Sequence, residues 1–252
     1  MKLLKCEYLK TRKRYVWLTA LIITAFCLIW TLHGNYNDFI LDNGWMMFLY
    51  QLPIINTLFL PILAMVIASR LADIEHKGVM LKQLCPITEK GRLFDAKLLY
   101  GLLIMTVSLV IMYTGIVVGC NFIGFRSEFP VRLYAIFFLF TATTTFVIYI
   151  LQHTLSLLIK NQIIPFFIGI IGEFIGIISL FLPSAPILRK SIIWGYYGVL
   201  GFVGMFGWDK DSRYANAYFE VMHIDWTFWC VLIACGILIY IIGRKIFCKK
   251  EI

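Results

Sequence analysis

Apolar residues run along this chain in blocks too long for the alternation of a half-buried strand or the one-sided stripe of a surface helix. A helix needs about 20 largely apolar residues to cross the roughly 30 Å hydrocarbon core of a bilayer. Six stretches meet or approach that length: 15–32, 45–69, 98–123, 133–158, 163–182 and 226–243. They predict an all-α membrane protein with six transmembrane helices, forming one membrane domain over residues 1–252. The connections between them are 33–44, 70–97, 124–132, 159–162 and 183–225.

A further apolar run, Ile192 to Gly207, sits inside the last connection. Its sixteen residues would reach only about 24 Å as a helix, short of the core. Gly195, Gly198, Gly201, Gly204 and Gly207 also recur at every third position, which costs an isolated helix about 4–5 kcal/mol relative to alanine. A seventh span is therefore not expected. Two readings remain for 183–225: a re-entrant or interfacial hairpin on the outer side, or a kinked, glycine-rich helix that only packs against its neighbours.

The polar stretch 70–97 has its own pattern. Leu71, Ile74, Gly78, Leu81 and Cys85 share one face of a helix, with Asp73, Glu75, Lys77 and Lys82 around the rest. Pro86 stops that helix, Thr88 can cap a second one, and Glu89 falls in its first turn before it runs through Leu93 and Lys97 into the third span. A helix, a proline elbow and a second helix suit docking of a soluble partner better than a plain solvated connection. At the N-terminus, Leu4, Tyr8, Thr11 and Tyr15 align on one face of a basic helix over 1–14 that is expected to lie on the membrane surface.

Composition agrees with lipid as the main solvent. The chain is 61% hydrophobic and 15% charged, with a mean hydropathy of +0.84, against about 25% charged residues in soluble domains. The net charge of +9 is read as topology and not as nucleic-acid binding, because the aromatics lie within apolar runs and do not interleave with the basic residues. With the N-terminus inside, seventeen Lys and Arg fall on the cytoplasmic side and six on the other. Both termini are thus expected in the cytosol. The seven cysteines form no C-x-x-C and no Cys/His cluster at metal spacing. The seven tryptophans fall near span or loop ends, where interfacial anchors belong. The basic tail and the apolar run after it leave through Thr31-Leu32-His33-Gly34 with no small-x-small exit, so a retained span is expected, not a cleaved signal.

Glu173 is the acidic residue well inside a span, and Gly169, Gly172 and Gly176 make its side of the helix small. His153, Gln152 and the threonines Thr141, Thr143, Thr144 and Thr145 are its candidate partners. Either Glu173 lines a pathway or a contact between subunits, or it is a neutral, hydrogen-bonded acid that orients two helices. Hydroxyls such as Thr144 more often bond the carbonyl four residues back. No metal site is expected. The phosphate-binding G-x-x-x-x-G-K-[ST], H-E-x-x-H and G-x-S-x-G are all missing, so an enzyme activity is not expected in this chain.

At the elbow the sequence resembles a known family. Glu75-His-Lys-Gly78, Leu84-Cys-Pro86-Ile-Thr88 and Ala96-Lys97 are similar to the cytoplasmic region of type-2 ABC-transporter permeases, where an acidic residue, a glycine, a Leu-x-Pro and an Ala-Lys recur between the second and third of six spans. The small size and lack of a large outer domain most resemble the permeases of lantibiotic and bacteriocin self-immunity exporters. That resemblance implies a multi-pass subunit of the bacterial plasma membrane that expels an amphipathic antimicrobial peptide. It implies cytosolic ABC ATPase partners that bind ATP and Mg, and a second permease chain, identical or paralogous. Residues 70–97 would be the coupling elbow, with Glu75, Gly78, Leu81, Pro86 and Lys97 as the ATPase-coupling positions. Two other classes stay open: an ion- or proton-coupled secondary transporter or channel using Glu173, and an intramembrane enzyme using Glu173 and His153.

Overall fold

The computed structural model describes residues 2–76, 89–182, 186–210, 214 and 216–250. A short helix α1 (Lys2–Arg12) precedes α2 (Val16–Leu32), α3 (Asp38–His76), α4 (Lys90–Ile123), α5 (Val131–Leu158) and α6 (Ile163–Phe181). The chain then becomes irregular: α7 (Pro186–Ser191), a 3₁₀ turn at Ile193–Gly195, a single turn α8 (Tyr196–Val199), and the strands β1 (Val203–Phe206) and β2 (Tyr218–Val221). The last helix is α9 (Trp226–Lys249). Five helices, α3 to α6 and α9, are long and apolar enough to cross a membrane, and the bent pair α1–α2 makes a sixth. All six expected spans are thus helices, and among the described residues the departure from an all-helical fold is the small antiparallel pair β1–β2.

Helix boundaries differ from those read off the apolar runs. α3 begins at Asp38, inside the expected connection 33–44, and absorbs the change of direction at a kink at Asn43 (φ −115°). At its other end it continues through Arg70 to His76, so the first part of the elbow extends the second span. At about 58 Å for its 39 residues, α3 exceeds the thickness of a bilayer with its headgroups. α4 starts at Lys90 with Glu89 at the N-cap, one position earlier than a first-turn placement.

α3 is the central element: 67% of its most apolar 18-residue stretch is buried, against 17% for α9. It packs on α5, α6 and α2, while α2 lies on α4 and α9 on α5. At the end of the bundle away from α1, Trp45 sits among Phe125, Phe129 and Tyr134, donates from Nε1 to the Ser127 carbonyl (2.9 Å), and accepts from the Tyr134 hydroxyl at its own carbonyl (3.0 Å). Trp45 and Trp194 are therefore core residues, whereas Trp30, Trp208 and Trp226 are exposed as interfacial anchors would be.

The glycine-rich run forms no continuous helix. Trp194, Tyr196, Tyr197, Leu200, Phe202 and Val203 are buried against the spans, with Phe202 edge-on to Phe137 and Phe140. The irregular backbone is tolerated because neighbouring helices cover it.

α4 packs closely on α5 at Gly101, where a Cβ would overlap the hydroxyl and ring of Tyr149. Gly101→Ala should lower stability by about 1–3 kcal/mol, the usual cost of overpacking. Tyr149→Leu in the same chain should return part of the loss, read as the midpoint of thermal unfolding in detergent; an unchanged midpoint for Gly101→Ala would refute this packing.

Candidate functional site at the base of the bundle

Four charged side chains meet where α1 crosses the ends of α3 and α4. Glu7 and Lys10 are three apart on α1 and so share a face. Glu75 lies in the last turn of α3 and Lys97 in the second turn of α4. Lys97 Nζ donates to Glu7 Oε2 (2.7 Å), lies 2.9 Å from Glu75 Oε1, and reaches the Leu71 carbonyl (3.3 Å). Lys10 Nζ donates to Glu75 Oε1 (2.8 Å) and Glu7 Oε1 (3.2 Å). Two carboxylates and two ammoniums balance.

The cluster is nearly dry: the side chains of Lys97 and Glu75 are 0% exposed, Glu7 3% and Lys10 20%. Charges without water are tolerated only as mutual partners, so loss of one member leaves another uncompensated. Burial pulls the Lys10 pKa down, but its hydrogen bond to Glu75 and the charges of both carboxylates prevail and hold it above the ordinary lysine value. Beside the cluster, the Tyr100 hydroxyl meets Thr11 Oγ1 (2.7 Å) and accepts from Trp17 Nε1 (2.8 Å), which pins both sides of the α1–α2 bend onto α4.

The other side of the α4 base is held by α9. Asp95 and Lys97 are two residues apart, about 200° around the helix, so they point to nearly opposite sides. Asp95 accepts from Arg244 Nε (3.0 and 3.1 Å) and from the Tyr240 hydroxyl (2.9 Å). Lys90 Nζ donates to the Lys250 carbonyl (2.7 Å), and Lys250 Nζ to the carbonyls of Leu158 (2.9 Å) and Leu157 (3.3 Å) at the end of α5. The first two turns of α4 are thus gripped by α1 and α3 on one flank and by α9 on the other.

Deeper in the bundle the polar groups form smaller sets. Thr143, Thr144 and Thr145 donate to the carbonyls of Leu139, Phe140 and Thr141, each four residues back. Thr141 Oγ1 accepts from the Tyr113 hydroxyl (2.9 Å) and Asn56 Nδ2 (3.3 Å), and Thr145 Oγ1 meets the Tyr197 hydroxyl (2.9 Å). Glu173 is buried on the glycine face of α6, where Trp194 lies on Gly172 and Gly176, and Gln152 and Met65 lie on Gly169. Among the described residues Glu173 Oε2, both amide atoms of Gln152 and Trp194 Nε1 have no hydrogen-bond partner. His153 packs edge-on to Phe94 of α4 (4.9 Å), on the side of Lys97 and not of Glu173.

The family model for ABC-2 family transporter proteins matches residues 3–176, from α1 into α6, and so includes every residue of the four-charge cluster. The chain belongs to the ABC-2 transporter family. No curated protein and no solved structure matches it. As an ABC-2 protein it is a multi-pass membrane transport subunit, and membership implies association with ABC ATPases.

Within this ABC-2 subunit the structure brings Glu75 and Lys97 into direct contact, although neither is on a surface open to a partner. Glu75 is turned into the bundle and not to the solvated side of the elbow. Gly78, Leu81 and Pro86 lie outside the described residues. Of the expected α1 face, Thr11 is buried and Tyr8 and Tyr15 are exposed, and α1 docks on α4 through Glu7 and Thr11. Glu7, Lys10, Asp95 and Arg244 were missed as site residues. A signal for Glu7 existed, since it is the single acid before Asp38 in a strongly basic tail.

Removing one charge from the cluster should cost more than removing a pair. Lys97→Met should destabilise by about 3–5 kcal/mol, and adding Glu75→Gln should recover part of that. Lys10→Met, at the wetter edge, should cost less. Thermal unfolding of the purified variants, analysed as a double-mutant cycle, measures the coupling; additive effects of Lys97 and Glu75 would refute it.

Proposed function

We propose that this chain is the permease subunit of an ATP-driven exporter that expels an amphipathic antimicrobial peptide, of the lantibiotic or bacteriocin kind, from the bacterial plasma membrane and so confers resistance. The observation that supports it most is the buried cluster of Glu7, Lys10, Glu75 and Lys97. It ties α1 to the two helices that flank the connection 77–88, where a cytosolic ATPase would dock. A push on that connection reaches α3 and α4 together, because their ends are joined through Lys97 and Glu75 and cannot separate without exposing bare charges to a dry site.

In this reading both termini are cytosolic, two permease chains work with two ATPases, and ATP and Mg are held by the partner. Gly78, Leu81 and Pro86 provide the docking elbow, while Glu75 and Lys97 position it from within. Closure of the ATPases shifts α3 and α4 against α5 and α6, and the peptide enters sideways from the bilayer. Apolar grooves support lateral entry. One of about 370 Å³ between α4 and α5 is lined by Tyr113, Val117, Phe129, Tyr134 and Phe138. Another of about 290 Å³ beside α9 is lined by Leu98, Phe146, Ile233 and Tyr240. Glu173, Gln152 and the threonine face with Thr144 border the moving interface, with His153 nearer the base.

The test is purification of the tagged chain in mild detergent with identification of bound subunits, joined to a peptide-resistance assay. A stoichiometric ABC ATPase should co-purify. Glu75→Gln should leave that ATPase bound and hydrolysing while resistance falls at least about tenfold, a loss equivalent to about 1.4 kcal/mol. Full resistance in a folded Glu75→Gln protein would remove the coupling role. The buried Glu173 Oε2, which has no hydrogen-bond partner among the described residues, favours one second reading, ion- or proton-coupled transport. Glu173→Gln separates the two: export should remain dependent on ATP, whereas loss of transport together with ATP-independent activity of the wild type would favour ion coupling.

A further inference from the structure

A groove at the α1–α2 bend is not used by the reading above. Tyr15 adopts a left-handed conformation (φ 53°) that non-glycine residues rarely take, and it turns the chain by 74° between α1 and α2. The bend encloses a space of about 430 Å³ lined by Tyr8, Thr11 and Arg12 from α1 and by Tyr15, Trp17 and Leu18 around the start of α2. Its shape is set in advance, since Thr11 and Trp17 from its two walls converge on the Tyr100 hydroxyl.

The lining is graded in polarity along its length. Arg12 stands at the polar end, and among the described residues no acid pairs with it. This contrasts with Lys10, two residues away, whose charge is taken up by Glu7 and Glu75, and with Arg14, which lies 3.8 Å from Asp73. At the other end, Leu18 and Trp17 belong to the first turn of an apolar span, and Tyr8 and Leu18 are about half exposed and Tyr15 more so. An unpaired guanidinium recognises a phosphate, and an apolar wall beside it recognises acyl chains.

We propose that this groove is a binding site for one anionic phospholipid, with its phosphate on Arg12 and its chains along the start of α2. The lipid is chosen over free phosphate because the apolar wall has no part in holding a small ion. The site places an acidic headgroup where α1 meets the bundle, so lipid composition acts on the helix that carries Glu7 and Lys10.

The full-length chain, with whatever subunits it retains, would be delipidated in detergent. It would then be titrated with dioleoyl phosphatidylglycerol or dioleoyl phosphatidylcholine, and native mass spectrometry would count bound lipids. Phosphatidylglycerol should bind first, at one per chain, and more tightly than phosphatidylcholine. Arg12→Gln should weaken it about tenfold, while Lys5→Gln, an exposed cation off the groove, should change it less than about twofold. Arg12→Lys keeps the charge without the planar fork, should fall between, and can be read if Arg12→Gln fails to fold. Inorganic phosphate at the lipid's concentration should not displace it. Equal binding of the two lipids, equal effects of Arg12→Gln and Lys5→Gln, or displacement by inorganic phosphate would each overturn the proposal.

Discussion

A lysine ammonium with no access to water needs carboxylates around it, and the base of this bundle is organised by that requirement. Lys97 is buried in the second turn of α4, so Glu75 from α3 and Glu7 from α1 must come to it. Two acids on one lysine leave an excess negative charge, which Lys10 removes. Each member answers the desolvation of another. The docking of α1 and the meeting of α3 and α4 share one electrostatic balance, with Tyr100 adding neutral hydrogen bonds at its edge.

The same balance makes the base of α4 a junction. Lys97 commits one side of the helix to α1 and α3, and Asp95 commits the nearly opposite side to Arg244 and Tyr240 of α9. Lys250 then links α9 to the last carbonyls of α5. Four of the apolar helices are therefore tied at one end by polar contacts, and deeper in the bundle Asn56 of α3 and Tyr113 of α4 meet on Thr141 of α5.

Much of this architecture was legible from local pattern. The six apolar runs became helices because burial in lipid or protein is decided by the composition of about 20 consecutive residues. The backward hydrogen bonds of Thr143, Thr144 and Thr145 are equally local, and so is the placement of Glu173 on the glycine face of α6. The glycine periodicity over 195–207 argued against a span, and the chain there forms short turns and a strand. What could not be seen was pairing across distance. Glu75 and Lys97 were singled out for a resemblance, with nothing to say that they touch, and His153 was considered for Glu173 although it packs on Phe94.

The amino-acid sequence by itself determined the class of the molecule, the number of its apolar helices and the polar character of the connection between the second and third. These depend on residue type and spacing along a single element. Only the tertiary structure decided which charges are buried together, that α1 lies on α4 through Glu7 and Thr11, and that the bend beside Tyr15 encloses a groove. A contact between residues 7, 10, 75 and 97 is a property of three helix ends meeting in space. Its energy comes from the joint removal of water, which no one segment carries alone.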